Sequence, residues 1–569
     1  MVWKIKSLPR KKSGDFDDQN YPSIIKRLLR LRGLEEGAEI EEFLDPDYDR
    51  GLHDPYLFVD MKKAVDRIYR AVKNNESVLI FGDYDVDGVS ASVILANVFD
   101  WLGFDNYQVY IPDRYTEQYG LSLSNVEQFL ANNIDLMITV DCGITGKEEV
   151  ERAISGGLDV IVTDHHQAPE QLPEATAVID PKCPGEKYPY DGLSGAGVAF
   201  KLAQALVLSG YWPQELPAGR EKWLLDLVAL ATISDMMPVD RENRVLVRYG
   251  LVVLRQARRP GLAALLKKVN IKPENVNEND IGFMLGPRLN AASRLAHASE
   301  AYDLLTARRK TEAEKLAKHL DGHNRGRKSL VDKILDWATE ALGDPEEKVL
   351  VLGREDFSVG VLGLAASRLV EKYGRPVFVW TVSDNGEIKG SCRSDGSVNV
   401  VNLMTAAGGR GFFSDFGGHA QAGGFSLPSG HEGELAVKLN QAHSQVEHQA
   451  VEETVCYEAK LVLADINEEL WGWLVKLSPF GPENPQPIFL IKELTVKAIR
   501  VFGANDQHLE LKVGDRTGRQ FVAIDFFRHR PDWLEVGSTI DVLVKIERSY
   551  WGRPSLRLHL AGIRPSTGS

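Results

Sequence analysis

Three short runs of apolar and β-branched residues each end at an acidic or imidazole cluster. They are Val78-Leu79-Ile80-Phe81, Leu136-Met137-Ile138-Thr139 and Val160-Ile161-Val162-Thr163. Runs this short, with no polar alternation, suit strands buried on both faces. The helix-length stretches between them make those strands parallel neighbours joined by crossover helices. The clusters that follow are Asp83-Tyr84-Asp85-Val86-Asp87-Gly88, Val140-Asp141-Cys142-Gly143 and Asp164-His165-His166. Ligands in open α/β sheets gather outside the carboxyl ends of the strands. Carboxylates crowded there repel one another unless a cation compensates them. Oxygen donors mixed with imidazole suit manganese or magnesium better than a thiolate-seeking metal. Taken singly, each cluster is also ordinary turn or helix-cap chemistry. Three of them on three successive strands point to a two-metal phosphoesterase.

A chain of 569 residues is too long for one core and divides into three or four domains. Cys142, Cys183, Cys392 and Cys456 show no CxxC spacing, which argues against a zinc ribbon or disulfide framework and for a reducing cytosol. The charged stretch Met1 to Asn20 has no apolar core, so no signal peptide is expected, and no window is apolar enough for a membrane span. A net charge of −14 speaks against nucleic acid only as a total. Residues 489–564 carry 13 Lys and Arg against 9 Asp and Glu, an excess of four, leaving −18 on the rest. There Phe502, Phe526, Phe527, Tyr550 and Trp551 interleave with Arg528, Arg530, Arg548 and Arg553, the composition that base stacking with phosphate neutralisation requires. Tyr550-Trp551-Gly552-Arg553 is the most loop-like of these stretches and the leading platform candidate.

Along the chain, residues 21–76 read as helical, with Ile24, Ile25, Leu28, Leu29, Ala64, Val65 and Ile68 at helical spacing. Strand and helix then alternate from Val78 to about Asp235, with helices expected over Val89 to Leu102, Glu148 to Ser155 and Gly195 to Leu208. Residues 300–342 form a long, highly charged helical stretch, read as a solvated connector. A second α/β unit begins at Lys348-Val349-Leu350-Val351-Leu352 and ends near Phe416-Gly417-Gly418-His419-Ala420-Gln421-Ala422-Gly423-Gly424. Glycines at that density let a backbone approach a ligand and offer N–H groups to phosphate oxygens. Four short β-rich runs follow: Leu494 to Val501, His508 to Val513, Gln520 to Phe526 and Ile540 to Ile546.

The three clusters resemble motifs I to III of the DHH phosphoesterase superfamily, and Asp235, in Thr232-Ile233-Ser234-Asp235 before Met236-Met237-Pro238, matches its fourth. Gly417 to Gly424 resembles the glycine-histidine motif of the DHHA1 domain. Within the branch that pairs the two domains, nearly the whole chain resembles the RecJ family of single-strand-specific 5′→3′ exonucleases. Pro112-Asp113-Arg114 with Tyr119-Gly120-Leu121, Pro287-Arg288-Leu289-Asn290 through Arg294, Gly390-Ser391-Cys392-Arg393 and Ser478-Pro479-Phe480-Gly481 carry that likeness. The resemblance implies an α/β fold in which a DHH parallel-sheet domain and a DHHA1 α/β domain are joined by a long helix and followed by an all-β OB fold. The expected boundaries are an N-terminal helical segment (1–76), DHH (77–299), connecting helix (300–342), DHHA1 (343–445) and OB fold (446–569).

Two departures from related patterns stand out. Phe81 occupies a position where several DHH relatives carry a metal-binding histidine, so the two metal sites are expected to be unequal. Pro482-Glu483-Asn484-Pro485 replaces a glycine-rich turn, and no further domain is expected beyond the OB fold.

The resemblance implies two divalent ions, Mn2+ or Mg2+. Asp87, Asp141, His165 and Asp235 are expected to hold one and Asp85 with Asp141 the other, with Asp141 bridging and Asp83 a further candidate at the weaker site. His166 would contact the scissile phosphate or protonate the departing oxygen. Arg114, Arg288, Arg294, Ser391, Arg393, Gly418, His419, Tyr550, Trp551 and Arg553 are the candidate nucleic-acid contacts. Arg393 with Ser391 and the backbone at Gly418-His419 would bind a terminal phosphate, with Arg288 closing the pocket from the other domain. A narrow passage between the DHH and DHHA1 domains would exclude duplex. Expected partners are single-stranded DNA, a single-strand-binding protein and a RecQ-type helicase, for a cytoplasmic monomer. A phosphodiesterase of short oligonucleotides or cyclic dinucleotides would need neither the 453–565 module nor the long linker. A soluble pyrophosphatase normally lacks the GGHAQAGG motif, and a catalytically dead scaffold would have lost the metal ligands.

Overall fold

The computed structural model describes residues 2–9, 21–35, 37–117, 120–383, 386–449, 454–503, 506, 508–526, 530–550 and 554–566. Trp551 and Arg553, with Tyr119, Phe527, Arg528 and Gly552, lie outside the described residues. The chain forms two compact units, Met1–Gly286 with Leu304–Ala313 and Thr454–Ser569, and Pro287–Asp303 with Glu314–Glu453.

The first unit opens with a short strand β1 (Val2–Ile5) and helices α1 (Ser23–Arg30), α2 (Gly37–Leu44) and α3 (Met61–Asn74). Strand and helix then alternate: β2 (Val78–Gly82), α4 (Val86–Leu102), β3 (Tyr107–Tyr110), α5 (Leu123–Ala131), β4 (Leu136–Val140), α6 (Lys147–Ser155), β5 (Asp159–Thr163) and β6 (Ala177–Ile179). The strands form one sheet in the order β3-β2-β4-β5-β6, every pair parallel. The three apolar runs are thus adjacent central strands, and every residue of β2 and β4 is buried. Because the three strands run the same way, their terminal clusters meet at one edge of the sheet.

Helices α7 (Gly195–Leu208), α8 (Leu225–Ser234), α9 (Arg241–Arg255), α10 (Pro260–Lys268) and the single turn α11 (Glu278–Asp280) follow. α4, α7 and α8 are buried on nearly every face, as helices apolar all round must be. The exception on α7 is Lys201, fully buried with its Nζ 2.6 Å from Glu242 Oε1. That ammonium also donates to the His53 carbonyl (2.8 Å), while Glu242 accepts from the His53 N–H (3.0 Å) and the Tyr188 hydroxyl (2.7 Å). Burial pulls the Lys201 pKa down and the Glu242 carboxylate opposes it. Removing one partner of such a pair strands the other charge, so Lys201→Ala is expected to cost about 3–5 kcal/mol. A thermal midpoint unchanged from the wild type would contradict this.

The second unit carries α12 (Gly286–Leu295) from its second residue, α13 (Ser299–Thr306) as far as Asp303 and the 33-residue α14 (Lys310–Leu342) from Glu314 onward. The expected single helix over 300–342 is therefore broken after Thr306, and Arg308 leaves the helical path to pair with Asp100 at 2.8 Å. Beyond it lie β7 (Leu350–Gly353), α15 (Val359–Tyr373), β8 (Val377–Val382), β9 (Ile388–Arg393), α16 (Val400–Ala406), β10 (Asp415–His419), β11 (Ala422–Leu427) and α17 (Glu432–His443). Their sheet runs β10-β11-β9-β8-β7, with only β7 and β8 parallel.

Back in the first unit come β12 (Thr454–Tyr457), β13 (Ala459–Lys460), α18 (Glu468–Leu477), β14 (Phe489–Phe502), β15 (His508–Gly514), β16 (Gln520–Phe526), β17 (Thr539–Ser549) and β18 (Ser555–Pro565). The order β13-β14-β15-β16-β18-β17, with β14 also pairing β17, closes a barrel. Closure removes the open edges that would otherwise template strand addition. Ile25, Leu28 and Leu29 of α1 and Ile40 and Leu44 of α2 share one core with Leu494, Val496, Leu511 and Val542 of the barrel. β1 pairs in parallel with β12, so a strand from the start of the chain joins the segment that enters the barrel.

Candidate metal centre

Asp83, Asp85 and Asp87 are placed by the passage from β2 into α4. Asp85 caps α4, its Oδ1 accepting from the N–H of Asp87 (2.8 Å) and of Gly88 (3.2 Å). This leaves its second oxygen for a ligand. Gly88 cannot be larger, since a Cβ there would lie 2.6 Å from the Asp83 backbone and Cβ. Asp87 sits in the first turn of α4, and its two oxygens accept from the N–H groups of Gly195 (2.8 Å) and Ala196 (2.6 Å) at the start of α7. Two helix N-termini thus converge on this carboxylate, where their dipoles favour negative charge.

Asp141 follows β4 in the left-handed region, φ 62°. A non-glycine residue there carries strain of about 1–3 kcal/mol, which persists only where the surroundings enforce it. Its N–H still joins the ladder through the Thr163 carbonyl (3.0 Å), and Gly195 leaves it room: a Cβ at Gly195 would lie 2.4 Å from Asp141 Oδ1.

His165 gathers the carboxylates. Its Nε2 is 3.1 Å from Asp141 Oδ1 and 3.8 Å from both Asp87 Oδ2 and Asp235 Oδ2. Burial pulls the His165 pKa to about 3, so the imidazole is neutral and keeps a lone pair for a ligand. Asp83, Asp85 and Asp141 form a second group whose donor atoms lie within 4.8 Å of one another, so Asp141 belongs to both. Burial, then the neighbouring carboxylates, push the Asp83, Asp87 and Asp141 pKa values far up, and that of Asp235 to about 7. Asp83 Oδ1 and Asp141 Oδ1 are buried with no hydrogen-bond partner. Oxygens stranded this way cost about 1–3 kcal/mol each, more when charged, and a cation relieves them. The donor set therefore fits divalent ions.

Asp164 plays a different part from the carboxylates around it. It accepts from the N–H groups of Ile144, His165 and His166, and its Oδ1 lies 2.7 Å from His166 Nδ1. Burial works against its charge, but these donors outweigh it and hold its pKa below the usual value. For His166, burial lowers the pKa and the Asp164 carboxylate more than restores it. The ring is fixed through Nδ1 with Nε2 as its other polar atom.

Gly195, Ala196 and Lys182 escaped the sequence reading. Lys182 Nζ donates to the His165 carbonyl. A signal existed for α7: Ser194 before Gly-Ala-Gly is an N-cap followed by residues small enough for close approach, and its hydroxyl accepts from the Gly197 N–H.

Among the proposed nucleic-acid residues, Arg114 lies near this centre, its guanidinium 4.8 Å from the Tyr84 ring. In the second unit, Gly417 to Gly424 belong to a β-hairpin: Gly418 pairs with Gly423 and His419 with Ala422 across β10 and β11. β10 is the edge strand of its sheet and, among the described residues, is paired on its β11 side alone. Gly423 pairs with Cys392 and Gly424 with Ser391 on β9, so β9, with Ser391 and Arg393, and β10, with Gly418 and His419, flank β11 on either side. Arg393 is partly buried, donates to Ser391 Oγ (3.2 Å) and the Cys392 carbonyl (2.8 Å), and has no carboxylate partner among the described residues. Burial depresses its pKa. Arg288 and Arg393 belong to one compact unit. The Arg288 Nε lies 3.0 Å from Asp321 Oδ1, and Arg294 donates to the Gly360 carbonyl (2.9 Å). On the barrel, Tyr550 is exposed, and Phe502, His508, Phe526 and His559 form a ladder of rings with centroids 5.1, 5.4 and 5.8 Å apart.

Residues 77–232 match the DHH family N-terminal domain, 346–447 the DHHA1 domain and 457–561 the RecJ OB domain. The single-stranded-DNA-specific exonuclease RecJ of Bacillus subtilis is 33% identical over 99% of this chain and 71% of its own length. RecJ of Escherichia coli K12 is 32% identical over 82% of this chain and 83% of its own. The crystal structure of Thermus thermophilus RecJ in complex with Mn2+ superposes with a TM-score of 0.81 at 26% identity, covering 100% of this chain and 80% of that one. A second exonuclease RecJ structure, bound to manganese, gives 0.60 at 30% identity over 68% of this chain and 95% of its own. With the domains in this order and relatives of such identity along nearly its full length, the chain belongs to the RecJ family of single-stranded-DNA-specific exonucleases.

Proposed function

We propose that the chain removes 5′-mononucleotides from single-stranded DNA in the 5′→3′ direction, using two divalent ions, Mn2+ or Mg2+, in DNA recombination and repair. The observation that carries this reading is the convergence of Asp87, Asp141, His165 and Asp235 beside Asp83 and Asp85, with buried carboxylate oxygens that hydrogen bonds leave unsatisfied. Asp87, Asp141, His165 and Asp235 would hold one ion, and Asp83, Asp85 and Asp141 the other. When bound, the pair would offset charge on the attacking and leaving oxygens and make water available as hydroxide at neutral pH. His166, raised in proton affinity by Asp164, would present a proton on Nε2 to the scissile phosphate or the departing oxygen. Arg114 would neutralise backbone phosphate near the centre. Arg393, Ser391 and the strand edge at Gly418-His419 would receive the terminal phosphate.

No described helix is long and apolar enough to cross a membrane. The proposal extends to a monomer in the cytoplasm working beside a single-strand-binding protein and a RecQ-type helicase, since an enzyme confined to unpaired strands depends on others to open and hold them. The direct test uses one strand labelled at either end, alone and annealed, with Mn2+, Mg2+ or a chelator. Mononucleotide release from the 5′ end of the free strand, abolished by the chelator, is the expected result. Release from the 3′ end or from the annealed duplex would overturn the reading.

The barrel's part is separable. Deleting it would uncover the apolar faces of α1 and α2, so a point change is the cleaner probe. Phe526, 38% exposed in the ring ladder, offers a face for a base. Stacking on an aromatic contributes about 1–3 kcal/mol per base, so Phe526→Ala should weaken binding of long single strands roughly 5- to 150-fold. Cleavage of very short strands should change little. Equal affinity of both proteins for a long strand would remove the ladder from the binding path.

A further inference from the structure

We propose a third metal site in this protein, formed by Glu300, His319 and His323 and suited to an imidazole-preferring divalent ion such as Zn2+, Co2+ or Ni2+. His319 and His323 stand four residues apart on α14, the spacing that puts two side chains on one helix face. Their ring centroids are 4.5 Å apart. Glu300, in the first turn of α13, faces both. Its Oε2 lies 3.3 Å from His319 Nδ1 and 3.1 Å from His323 Nε2. The three donor atoms fall within 4.8 Å of one another.

The distances suit one ion. Ligand atoms about 2.0–2.1 Å from a tetrahedral zinc lie roughly 3.4 Å from each other. Glu300 Oε2 sits at nearly that separation from both nitrogens, so an ion can enter the triangle with small side-chain shifts. Two imidazoles and one carboxylate are also the protein ligands of open zinc sites, where water completes the shell. Water can reach this one, because the His319 side chain is 61% exposed. The donor chemistry differs from that of the phosphoesterase centre. There oxygen ligands predominate and suit Mn2+ or Mg2+; here two of three donors are imidazole nitrogens, which favour the later transition metals. An ion bound here would tie the start of α13 to the third and fourth turns of α14, on either side of Asp321, the partner of Arg288.

The competing account is a carboxylate hydrogen-bonded to the two histidines, and metal counting separates the two. Full-length wild type and the His319→Ala/His323→Ala double variant are dialysed against Zn2+ with Mg2+ in excess, and bound zinc is measured by elemental analysis. Zinc captured at the carboxylate centre is common to both proteins and cancels. Wild type is expected to retain one equivalent more than the variant, and Zn2+ should raise its melting temperature by a larger amount. Glu300→Gln should weaken that equivalent by about tenfold or more. Mn2+-dependent cleavage by the variants should match the wild type, which checks their folding. Should the double variant fail that check, His319→Gln alone, at an exposed position, must lose the same equivalent. Equal zinc content and equal zinc-induced melting shifts in folded wild type and variant would overturn the proposal.

Discussion

Asp141→Ala is expected to abolish cleavage while leaving the protein folded. Asp141 belongs to both donor groups, so its loss leaves His165, Asp87 and Asp235 on one side and Asp83 and Asp85 on the other without a shared ligand. Two ions that are no longer held at a common spacing cannot both stabilise an in-line displacement. Loss of transition-state charge stabilisation in phosphoryl transfer costs about a thousandfold or more, and a comparable fall in kcat is expected here. Stability should not fall with it. In the wild type its Oδ1 is buried without a hydrogen bond. In the absence of metal the variant should melt at least as high as the wild type, because a repelling carboxylate has gone. Calorimetry in chelator and single-turnover cleavage in Mn2+ measure the two halves separately. A folded variant cleaving at near-normal rate in Mn2+ would refute the shared-ligand arrangement.

The contrast between what the sequence disclosed and what it hid has physical causes. β2, β4 and β5 were legible because strands buried on both faces need apolar runs, and a run ending in Asp marks the sheet edge where ligands collect. Asp235 carried no local signal. It is the C-cap of α8, 94 residues beyond Asp141, and only the family resemblance singled it out before folding brought it to His165. The hairpin of β10 and β11 is not legible in the sequence, because glycine supplies no side chain whose alternation could betray a strand. β1 was hidden for another reason. Its residues are mostly exposed, and what makes it a strand is β12, some 450 residues away. The break between α13 and α14 falls at Ala307-Arg308-Arg309, residues that offer no stop signal. Arg288 was singled out by the family resemblance alone, and its Nε contact with Asp321, 33 residues on, could not be foreseen from the local sequence.

Arg393→Ala is expected to impair strands bearing a 5′-phosphate far more than strands ending in a 5′-hydroxyl. A terminal phosphate carries more negative charge than an internal diester and presents more free oxygens, so a fixed guanidinium distinguishes the two. Arg393 is suited to this because its own contacts, Ser391 Oγ and the Cys392 carbonyl, are neutral. A partly buried cation that meets only neutral acceptors retains its charge for an incoming anion. Its position is supported from below: Gly363 on α15 leaves the space, since a Cβ there would lie 2.9 Å from the Arg393 guanidinium and 3.0 Å from Ser391 Oγ. The competing role, an ion pair binding two parts of the chain, requires a carboxylate, and none is paired with Arg393 among the described residues. Hydrogen bonds to charged groups contribute about 1.5–3 kcal/mol, so the preference for a 5′-phosphate should fall roughly 10- to 150-fold. The metal centre should be untouched, and the rate on 5′-hydroxyl strands is its internal control. Arg393→Lys should recover only part of the preference, because an ammonium supplies a point charge without the planar two-point geometry. A rate that drops by the same factor on both kinds of end would mean that Arg393 does not sense the terminus and that polarity is set by another group.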